Sequence, residues 1–191
     1  MKILLIGGTG TISSAITRQL AETEHEVYLL NRGNRNTDIP KNIKILVADI
    51  NNEAEAKETL NGMTFDAVCD FIGFVPAQLE RDYRLFAGKT KQFLFISSAS
   101  AYHKPVRDYR ISEATTLANP YWEYSRNKIA CEDFLFKMYR ENGFPVTIIR
   151  PSHTYCERSV PMGVHGDKGG WQVQPQWHAI RCRRRIDGTS Y

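Results

Sequence analysis

The sequence predicts a doubly wound α/β domain, in which helices cover both faces of a parallel sheet. Short apolar segments alternate along the chain with longer segments of helical periodicity. The apolar segments contain few polar residues, which is typical of strands buried on both sides in a parallel sheet. The length of 191 residues suits one domain with a full core.

The first half of the chain opens on the apolar segment KILLI and continues with a helix that repeats apolar residues at helical spacing, from Ile12 to Leu20. Two further apolar segments and a short polar helix lead to the fourth strand. In order, we expect a strand at residues 2–6, a helix at 11–22, strands at 26–30 and 43–47, a helix at 51–60 and a strand at 66–72.

The second half contains QFLFIS, a strand rich in aromatic and apolar residues, and the longest helix, which Asn142 and Gly143 end. In order, we expect a helix at residues 78–86, a strand at 92–97, a helix at 122–141 and a sixth strand at 145–149. No clear period continues from Pro151. The predicted organisation is therefore one domain at residues 1–155 and an irregular tail at 156–191.

Composition excludes several classes of protein. The formal charge of +4 comes mostly from four arginines near the end of the chain, so the remainder is near neutral and no nucleic-acid partner is expected. The four cysteines are widely spaced, as reduced thiols of a cytoplasmic protein are. No segment is long enough to span a membrane, and the first apolar segment is too short for a signal peptide. His178 and Cys182 lack a second ligand pair, so no metal site is expected.

Three glycines lie where the first strand gives way to the first helix, in GGTGTIS. Gly7 and Gly10 let the backbone turn tightly and approach a diphosphate, while the N–H groups of Thr11 and Ile12 open the helix. Ser13 replaces the third glycine of the usual dinucleotide fingerprint, and its small side chain still permits close packing. The alternative is a plain tight turn, but this strand–turn–helix context favours dinucleotide binding.

The end of the second strand favours NADP over NAD. NAD-binding sites usually carry an acidic residue at this position, where it accepts hydrogen bonds from the ribose. This chain has Asn31 followed by Arg32, with Arg35 close by. A neutral amide beside a guanidinium suits a 2′-phosphate. The alternative is that both arginines are solvated loop charges.

Tyr124 and Lys128 are four residues apart on the longest helix, so the phenol and the ammonium lie on one face, one turn apart. Close positive charge, from the ammonium and from an oxidised nicotinamide, lowers the pKa of the phenol toward neutrality and suits it to act as a general base. Elsewhere such a pair would be an ordinary surface feature. Here it follows a strand that ends in SSAS, within a dinucleotide-binding pattern.

These motifs, in this order, resemble the extended short-chain dehydrogenase/reductase superfamily, and within it the NAD(P)-dependent nucleotide-sugar epimerase/dehydratase family, whose cofactor domain is Rossmann-like. The resemblance covers about residues 1–155. The matching segments are GGTGTI, VADI with Asp49 and Ile50, FIG with Phe71, Ile72 and Gly73, FISSASAY, YSRNK, and RPSHTY at residues 150–155.

The resemblance implies roles for individual residues. Tyr124 would be the general base, Lys128 would orient it and bind the nicotinamide ribose, and Ser98 would hydrogen-bond the substrate hydroxyl, with Ser97 and Ser100 as the alternatives for that serine. The implied reaction is hydride transfer between a nicotinamide and a sugar carbon. The implied cofactor-binding residues are Gly7, Gly10, Thr11, Ile12, Asn31, Arg32, Asp49, Ile50, Phe71, Ile72, Gly73, Tyr124 and Lys128.

The chain departs from the family pattern at two places. Ala99 and Ser100 stand where 4,6-dehydratases carry an acidic pair, which favours epimerisation or reduction over dehydration. Residues 73–92 contain no asparagine, although the family often places a catalytic-site asparagine on this helix, and Gln78 is the nearest substitute.

Several alternatives remain open at this point. His103 and His153 are either pocket or loop residues, and packing is favoured over substrate stacking for Trp122. The family's nucleotide-sugar domain follows the RP segment, so residues 156–191 are either an irregular tail or a remnant of that domain. We expect dinucleotide binding with weak turnover or none, and whether the chain is an enzyme stays open. The substrate expected from the resemblance is a nucleotide sugar, with a homodimer as one assembly. The alternative is a non-catalytic dinucleotide-binding protein with a regulatory or RNA-associated role.

Overall fold

A computed structural model describes residues 1–34 and 39–154 of the chain. In this part of the chain, six strands form one parallel sheet: Lys2–Ile6 (β1), Glu26–Asn31 (β2), Lys44–Val47 (β3), Ala67–Asp70 (β4), Phe93–Ile96 (β5) and Val146–Ile149 (β6). Four α-helices accompany them: Thr11–Ala21 (α1), Glu53–Thr59 (α2), Pro76–Phe86 (α3) and Glu123–Asn142 (α4). A 3₁₀ turn, Ala99–Ala101, follows β5.

The strand order is β3-β2-β1-β4-β5-β6. The chain places β2 and β3 on one side of β1 and then β4, β5 and β6 on the other side, so the strand order reverses between β1 and β4. Ile6 pairs with Leu30 on one side and with Asp70 on the other, which brings the carboxyl ends of three strands together. In open sheets of this kind, ligands bind outside the carboxyl ends of the strands, at the reversal point.

The core lies on both faces of the sheet because successive side chains of each strand point to opposite sides. On β1, Ile3 and Leu5 belong to the cluster packed against α1, whereas Leu4 and Ile6 belong to the cluster on the opposite face. Residues of α2, α3 and α4 complete that second cluster. The predicted doubly wound fold is confirmed, and the expected elements are found with ends shifted by at most two residues.

The expectation that every strand is buried on both sides is wrong for β3 and β6. Val47 on β3 is 60% exposed and Ile149 on β6 is 40% exposed. These two strands form the edges of the six-stranded sheet, where each has a neighbouring strand on one side only.

The longest helix, α4, ends as its sequence predicts. Gly143 takes a left-handed conformation with φ of +63°, and its N–H bonds the carbonyl of Tyr139. The predicted tail at residues 156–191 lies outside the described residues, and the predicted domain boundary stays a prediction. None of the described helices combines the length and the apolar character needed to cross a bilayer.

Candidate active site

The turn between β1 and α1 requires glycine at two positions. Gly7 has φ of +81°, which is unfavourable for other residues, and a Cβ there would lie 2.4 Å from Cγ2 of Ile72. A Cβ on Gly8 would lie 2.3 Å from Cδ1 of Leu29. The turn can therefore pass close to the ends of β2 and β4 only because these side chains are missing.

Ser13 stabilises the same turn from within α1. Its Oγ accepts a hydrogen bond from the N–H of Gly10 at 2.8 Å and donates to the carbonyl of Gly7 at 2.9 Å. The side chain is almost completely buried. Ser13 therefore does more than fit in place of the usual glycine, because it links the two ends of the turn.

The N-terminus of α1 suits an anion. Gly10 is its N-cap residue, and the N–H groups of Thr11 and Ile12 have no acceptor within the helix, as in the first turn of any helix. The first turn contains no acidic residue that would oppose the positive end of the helix dipole. The glycine turn and this helix start together fit the diphosphate of a dinucleotide.

The residues after β2 and β3 lie at the same edge of the sheet. The Oδ1 atom of Asn31 accepts the N–H of Gly33 at 2.7 Å, and Arg32 is exposed. The Oδ1 atom of Asp49 accepts the N–H of Asn51 at 2.9 Å, while Ile50 is buried. The structure thus brings four of the predicted cofactor residues to this edge, whereas Arg35 lies outside the described residues.

Lys128 is buried in α4 and joins the ends of two strands. Its Nζ donates hydrogen bonds to the carbonyl of Gly73, after β4, at 2.6 Å and to that of Ile96, on β5, at 2.7 Å. Burial lowers the pKa of Lys128 to about 8, and the nearby charge of Asp70 opposes this fall. The ammonium is therefore held in a fixed position between β4 and β5.

Tyr124 lies one helical turn before Lys128, with Nζ 5.6 Å from the centroid of its ring. Ser98, which follows β5, lies beside its phenol. Burial raises the pKa of Tyr124, and the hydrogen bond from Ser98 opposes that rise. Burial therefore outweighs the ammonium at this position, and the lowering expected from the ammonium and an oxidised nicotinamide together stays a prediction.

The structure distinguishes Ser98 from the neighbouring serines. Ser97 is buried and donates to the carboxylate of Glu132, on the inner side of α4. Ser100 donates to Ser98 at 2.9 Å. Of the three serines, Ser98 is therefore the one in contact with Tyr124.

Two aromatic residues flank the Tyr124 ring. The ring centroid of Trp122 lies 4.8 Å from that of Tyr124, and the centroid of Phe74 lies 6.4 Å away. Trp122 contacts Tyr124 and is 55% exposed, so the packing role favoured from the sequence stays a prediction. Both flanking side chains are about half exposed, so the phenol lies beneath an apolar rim.

Sequence reasoning missed Asp70, a completely buried carboxylate at the end of β4. Asp70 hydrogen-bonds the equally buried Asp82 of α3, whose Oδ1 accepts two bonds from Arg81. The Oδ2 atoms of the two carboxyls have no hydrogen-bond partner among the described residues, and a single proton shared between the two side chains would satisfy both. Burial, followed by the charge of Asp70, raises the pKa of Asp82 well above its ordinary value. An aspartate within the apolar run AVCDFIG was the available signal.

A second buried ionic group lies behind Ser97. The carboxylate of Glu132 is fully buried and accepts a bidentate pair of bonds from Arg150, the shorter at 2.6 Å. Arg150 also donates to the hydroxyl of Tyr102 at 3.3 Å. This group ties α4 to the end of β6 and to the loop after β5.

Three other residues singled out in the sequence have local roles or surface positions. Oε1 of Gln78 accepts hydrogen bonds from the N–H groups of Phe74 and Val75 and so caps the start of α3. His103 lines a cavity of about 540 Å³ along α4, and that lining includes none of Ser98, Tyr124 and Lys128. His153 is exposed after β6.

Within residues 1–34 and 39–154, no group of three or more histidine, cysteine or acidic side chains is arranged to hold a metal ion. His178 and Cys182, considered and set aside as zinc ligands from the sequence, lie outside the described residues.

Comparison with known proteins identifies relatives of this arrangement. The model of the NAD dependent epimerase/dehydratase family matches residues 3–168. A UDP-glucose 4-epimerase of Lactobacillus helveticus is 27% identical over 170 residues, which cover 78% of this chain and 51% of that protein. A UDP-glucose 4-epimerase of Klebsiella pneumoniae is 29% identical over 128 residues, which cover 53% of this chain and 92% of that protein.

Among solved structures, the UDP-Glc/GlcNAc 4-epimerase of Campylobacter jejuni matches with a TM-score of 0.67 and 23% identity, over 78% of this chain and 52% of that chain. The present chain thus spans about half the length of the Lactobacillus and Campylobacter proteins. The family model covers the glycine turn, the six parallel strands and the Tyr124–Lys128 pair, so the chain belongs to the NAD dependent epimerase/dehydratase family.

Proposed function

We propose that this chain is an NAD(P)-dependent oxidoreductase of the epimerase or reductase type, which acts on a nucleotide sugar. The observation that carries the proposal is the joint position of Ser98, Tyr124 and Lys128 beside the glycine turn, at the carboxyl edge of the parallel sheet. The names of the Lactobacillus and Klebsiella relatives supply the substrate class. Because the chain spans about half of the Lactobacillus protein, the activity of a whole enzyme is part of the proposal.

The dinucleotide would lie across the reversal point of the sheet. The start of α1 would bind its diphosphate, Asp49 and Ile50 would contact the adenosine half, and Phe71, Ile72 and Gly73 would line the path toward Lys128. A bound nicotinamide supplies the hydride acceptor and donor. Lys128 fits the ribose beside it, because two carbonyls hold its Nζ and leave a third proton to donate.

Tyr124 would carry the proton transfer. Its oxygen takes the proton from the sugar hydroxyl at the carbon being oxidised and returns it when that carbon is reduced. The apolar rim of Phe74 and Trp122 keeps part of the water away from the phenol. With Ala99 and Ser100 in place of an acidic pair, the site lacks the groups that would eliminate water from the sugar.

Replacing Tyr124 tests this role. We expect Tyr124→Phe to lower hydride transfer from a nucleotide sugar by roughly 10²–10⁴-fold, the usual contribution of a general acid–base group, with little change in dinucleotide affinity. Reduced nicotinamide is followed by absorbance and affinity by calorimetry. Tyr139→Phe, at an exposed position of the same helix, is the matched control and should keep full activity.

A loss smaller than tenfold for Tyr124→Phe would remove this residue from the role of base. If a panel of nucleotide sugars gives no hydride transfer although dinucleotides bind, the non-catalytic binding protein becomes the better account.

We propose NADP as the preferred cofactor, with Arg32 as the residue that recognises its 2′-phosphate. Arg32 is exposed directly after β2. The residue before it, Asn31, is a neutral amide, so no carboxylate at that position repels a phosphate. Calorimetric titration should show tighter binding of NADP than of NAD, and Arg32→Ala should remove the difference. Arg18→Ala, at the opposite end of α1, is the control and should leave it intact. Equal affinities in the unaltered chain would contradict the preference.

A further inference from the structure

A row of hydrogen bonds runs from the catalytic hydroxyls to Asn119, in the loop before α4. The Nδ2 atom of Asn119 lies 3.3 Å from Oγ of Ser125, which lies 2.9 Å from Oγ of Ser100. Ser100 lies 2.9 Å from Oγ of Ser98, and Ser98 lies beside the phenol of Tyr124. Ser125 and Asn119 are buried, so little water competes for these bonds.

Backbone groups determine the direction of this row at its far end. Oδ1 of Asn119 accepts the N–H of Tyr121 at 3.2 Å, and Nδ2 donates to the carbonyl of Ser100 at 2.8 Å. A backbone N–H only donates and a carbonyl only accepts, so the amide has one possible orientation. Nδ2 is therefore also the donor toward Ser125, whose own proton is left for Ser100.

The near end has the same direction. Oγ of Ser98 accepts the N–H of Ser100 at 3.2 Å and lies 2.9 Å from Oγ of Ser100. When Ser100 donates its proton, both lone pairs of the Ser98 oxygen are occupied. The one remaining function of the Ser98 hydroxyl is to donate, and the Tyr124 oxygen is an acceptor beside it.

We infer that Asn119, Ser125 and Ser100 are positioning residues that form a directional row of donors and make Ser98 a hydrogen-bond donor to the Tyr124 oxygen. Each donor polarises the next, so the row favours the phenolate form of Tyr124 more than Ser98 alone would. This inference rests on the proposed role of Tyr124 as the base. It also changes the role of Ser98, which donates to an oxygen and does not accept the substrate's proton.

The ionisable groups that face the phenol are few. Lys128 and Cys131 lie on the same helix, and Asp70 lies beyond Lys128. From the other elements, Ser98 and Phe74 lie beside Tyr124, and both are uncharged, as is Trp122 at the start of α4. The row itself contains no charge, so its effect differs from that of these charged groups.

The test measures the phenol directly and needs no turnover. Difluorotyrosine introduced at position 124 titrates at a lower pH than tyrosine, and its ionisation is followed by fluorine NMR. Ser98→Ala should raise the measured pKa by about one pH unit, the loss of a bond to a charged group. Ser100→Ala and Ser125→Ala should raise the pKa of the phenol by about half a unit, because Ser98 would lose the polarisation that the other donors of the row supply.

Two variants separate this effect from simple damage to the fold. Ser97→Ala removes a neighbouring serine whose hydroxyl bonds Glu132 and should leave the phenol pKa unchanged. Ser100→Thr restores a hydroxyl at the same position and should return the pKa to the parent value. Melting temperatures of all variants identify any that are unfolded.

An unchanged pKa in both Ser100→Ala and Ser125→Ala would overturn the inference, as would a shift that Ser100→Thr fails to reverse. Because no substrate is present, these results stand apart from the proposed function. An inactive chain with the expected shifts would contradict the oxidoreductase and support the donor row.

Discussion

The two halves of the site are built in different ways. The glycine turn is shaped by backbone conformation within a few consecutive residues, from Gly7 to Ser13. The group around α4 is held by polar bonds between residues far apart, such as Lys128 and Gly73, 55 positions away, or Ser97 and Glu132, 35 positions away. One half therefore depends on the absence of side chains, and the other on the completeness of buried polar partners.

This difference predicts different responses to mutation. In the turn, adding a methyl group should be harmful because space and φ are restricted. Around α4, removing one partner should be harmful because its buried counterpart remains uncompensated.

The largest effect on stability is expected at the buried ion pair. Arg150→Met should lower the free energy of unfolding by about 3–5 kcal/mol, since it leaves the fully buried Glu132 carboxylate without its cation. Chemical denaturation measures this loss. Arg84→Met is the matched control, because Arg84 pairs with Glu53 at the surface, and it should change stability little. Equal losses of unfolding free energy in the two variants would show that burial does not determine how much the Arg150–Glu132 pair contributes to stability.

The glycine turn should give the next largest effect. Gly7→Ala combines an unfavourable φ of +81° with a Cβ only 2.4 Å from Ile72, and should cost about 2–4 kcal/mol. Gly62→Ala has a similar φ of +69° but no atom within 4 Å of the new Cβ, and should cost about 1–2 kcal/mol. If the two variants lose the same stability, the close approach of Ile72 carries no weight.

A smaller, pH-dependent effect is expected at the aspartate pair. The raised pKa of Asp82 means that the folded state holds a proton that the unfolded state has released. The contribution of Asp82 to stability therefore falls as the pH rises above the ordinary pKa of an aspartate. Asp82→Asn replaces the shared proton with an amide donor and retains an oxygen for Arg81.

We therefore expect Asp82→Asn to be more stable than the parent by about 1–2 kcal/mol at neutral pH, and the advantage to shrink toward acid pH. Denaturation curves across the pH range provide the measurement. A variant that is less stable at neutral pH would indicate that both carboxylates are ionised and that the pair is held by Arg81 and Lys128 instead.

The local half of the molecule could be predicted from sequence. Apolar runs gave the six strands, and the glycine cluster at residues 7–10 gave the turn, because each signal depends on neighbouring residues. The spacing of Tyr124 and Lys128 likewise predicted their common face. The resemblance supplied the register of Ser98, the serine that lies beside Tyr124, and its catalytic role stays a prediction.

The long-range half could not be predicted in the same way. The residues next to Asp70 in the sequence do not predict its contact with Asp82, and those next to Ser100 do not predict its contact with Asn119. These contacts arise only when α3 and α4 pack on the sheet. The effect of burial on the Tyr124 pKa could not be predicted either, because spacing along a helix does not determine how much of the phenol is buried.

The most direct test of whether the two halves serve one ligand is calorimetric titration of the chain with NADP and NAD. Lys128 lies on α4, far along the chain from the glycine turn, yet we assign it a hydrogen bond to the nicotinamide ribose. Lys128→Met should therefore weaken dinucleotide binding by roughly tenfold, the value of one lost bond from a charged donor, while Tyr124→Phe binds as the parent does. Affinity for both dinucleotides that is unaffected by Lys128→Met would contradict the account, because the two halves would then belong to separate sites.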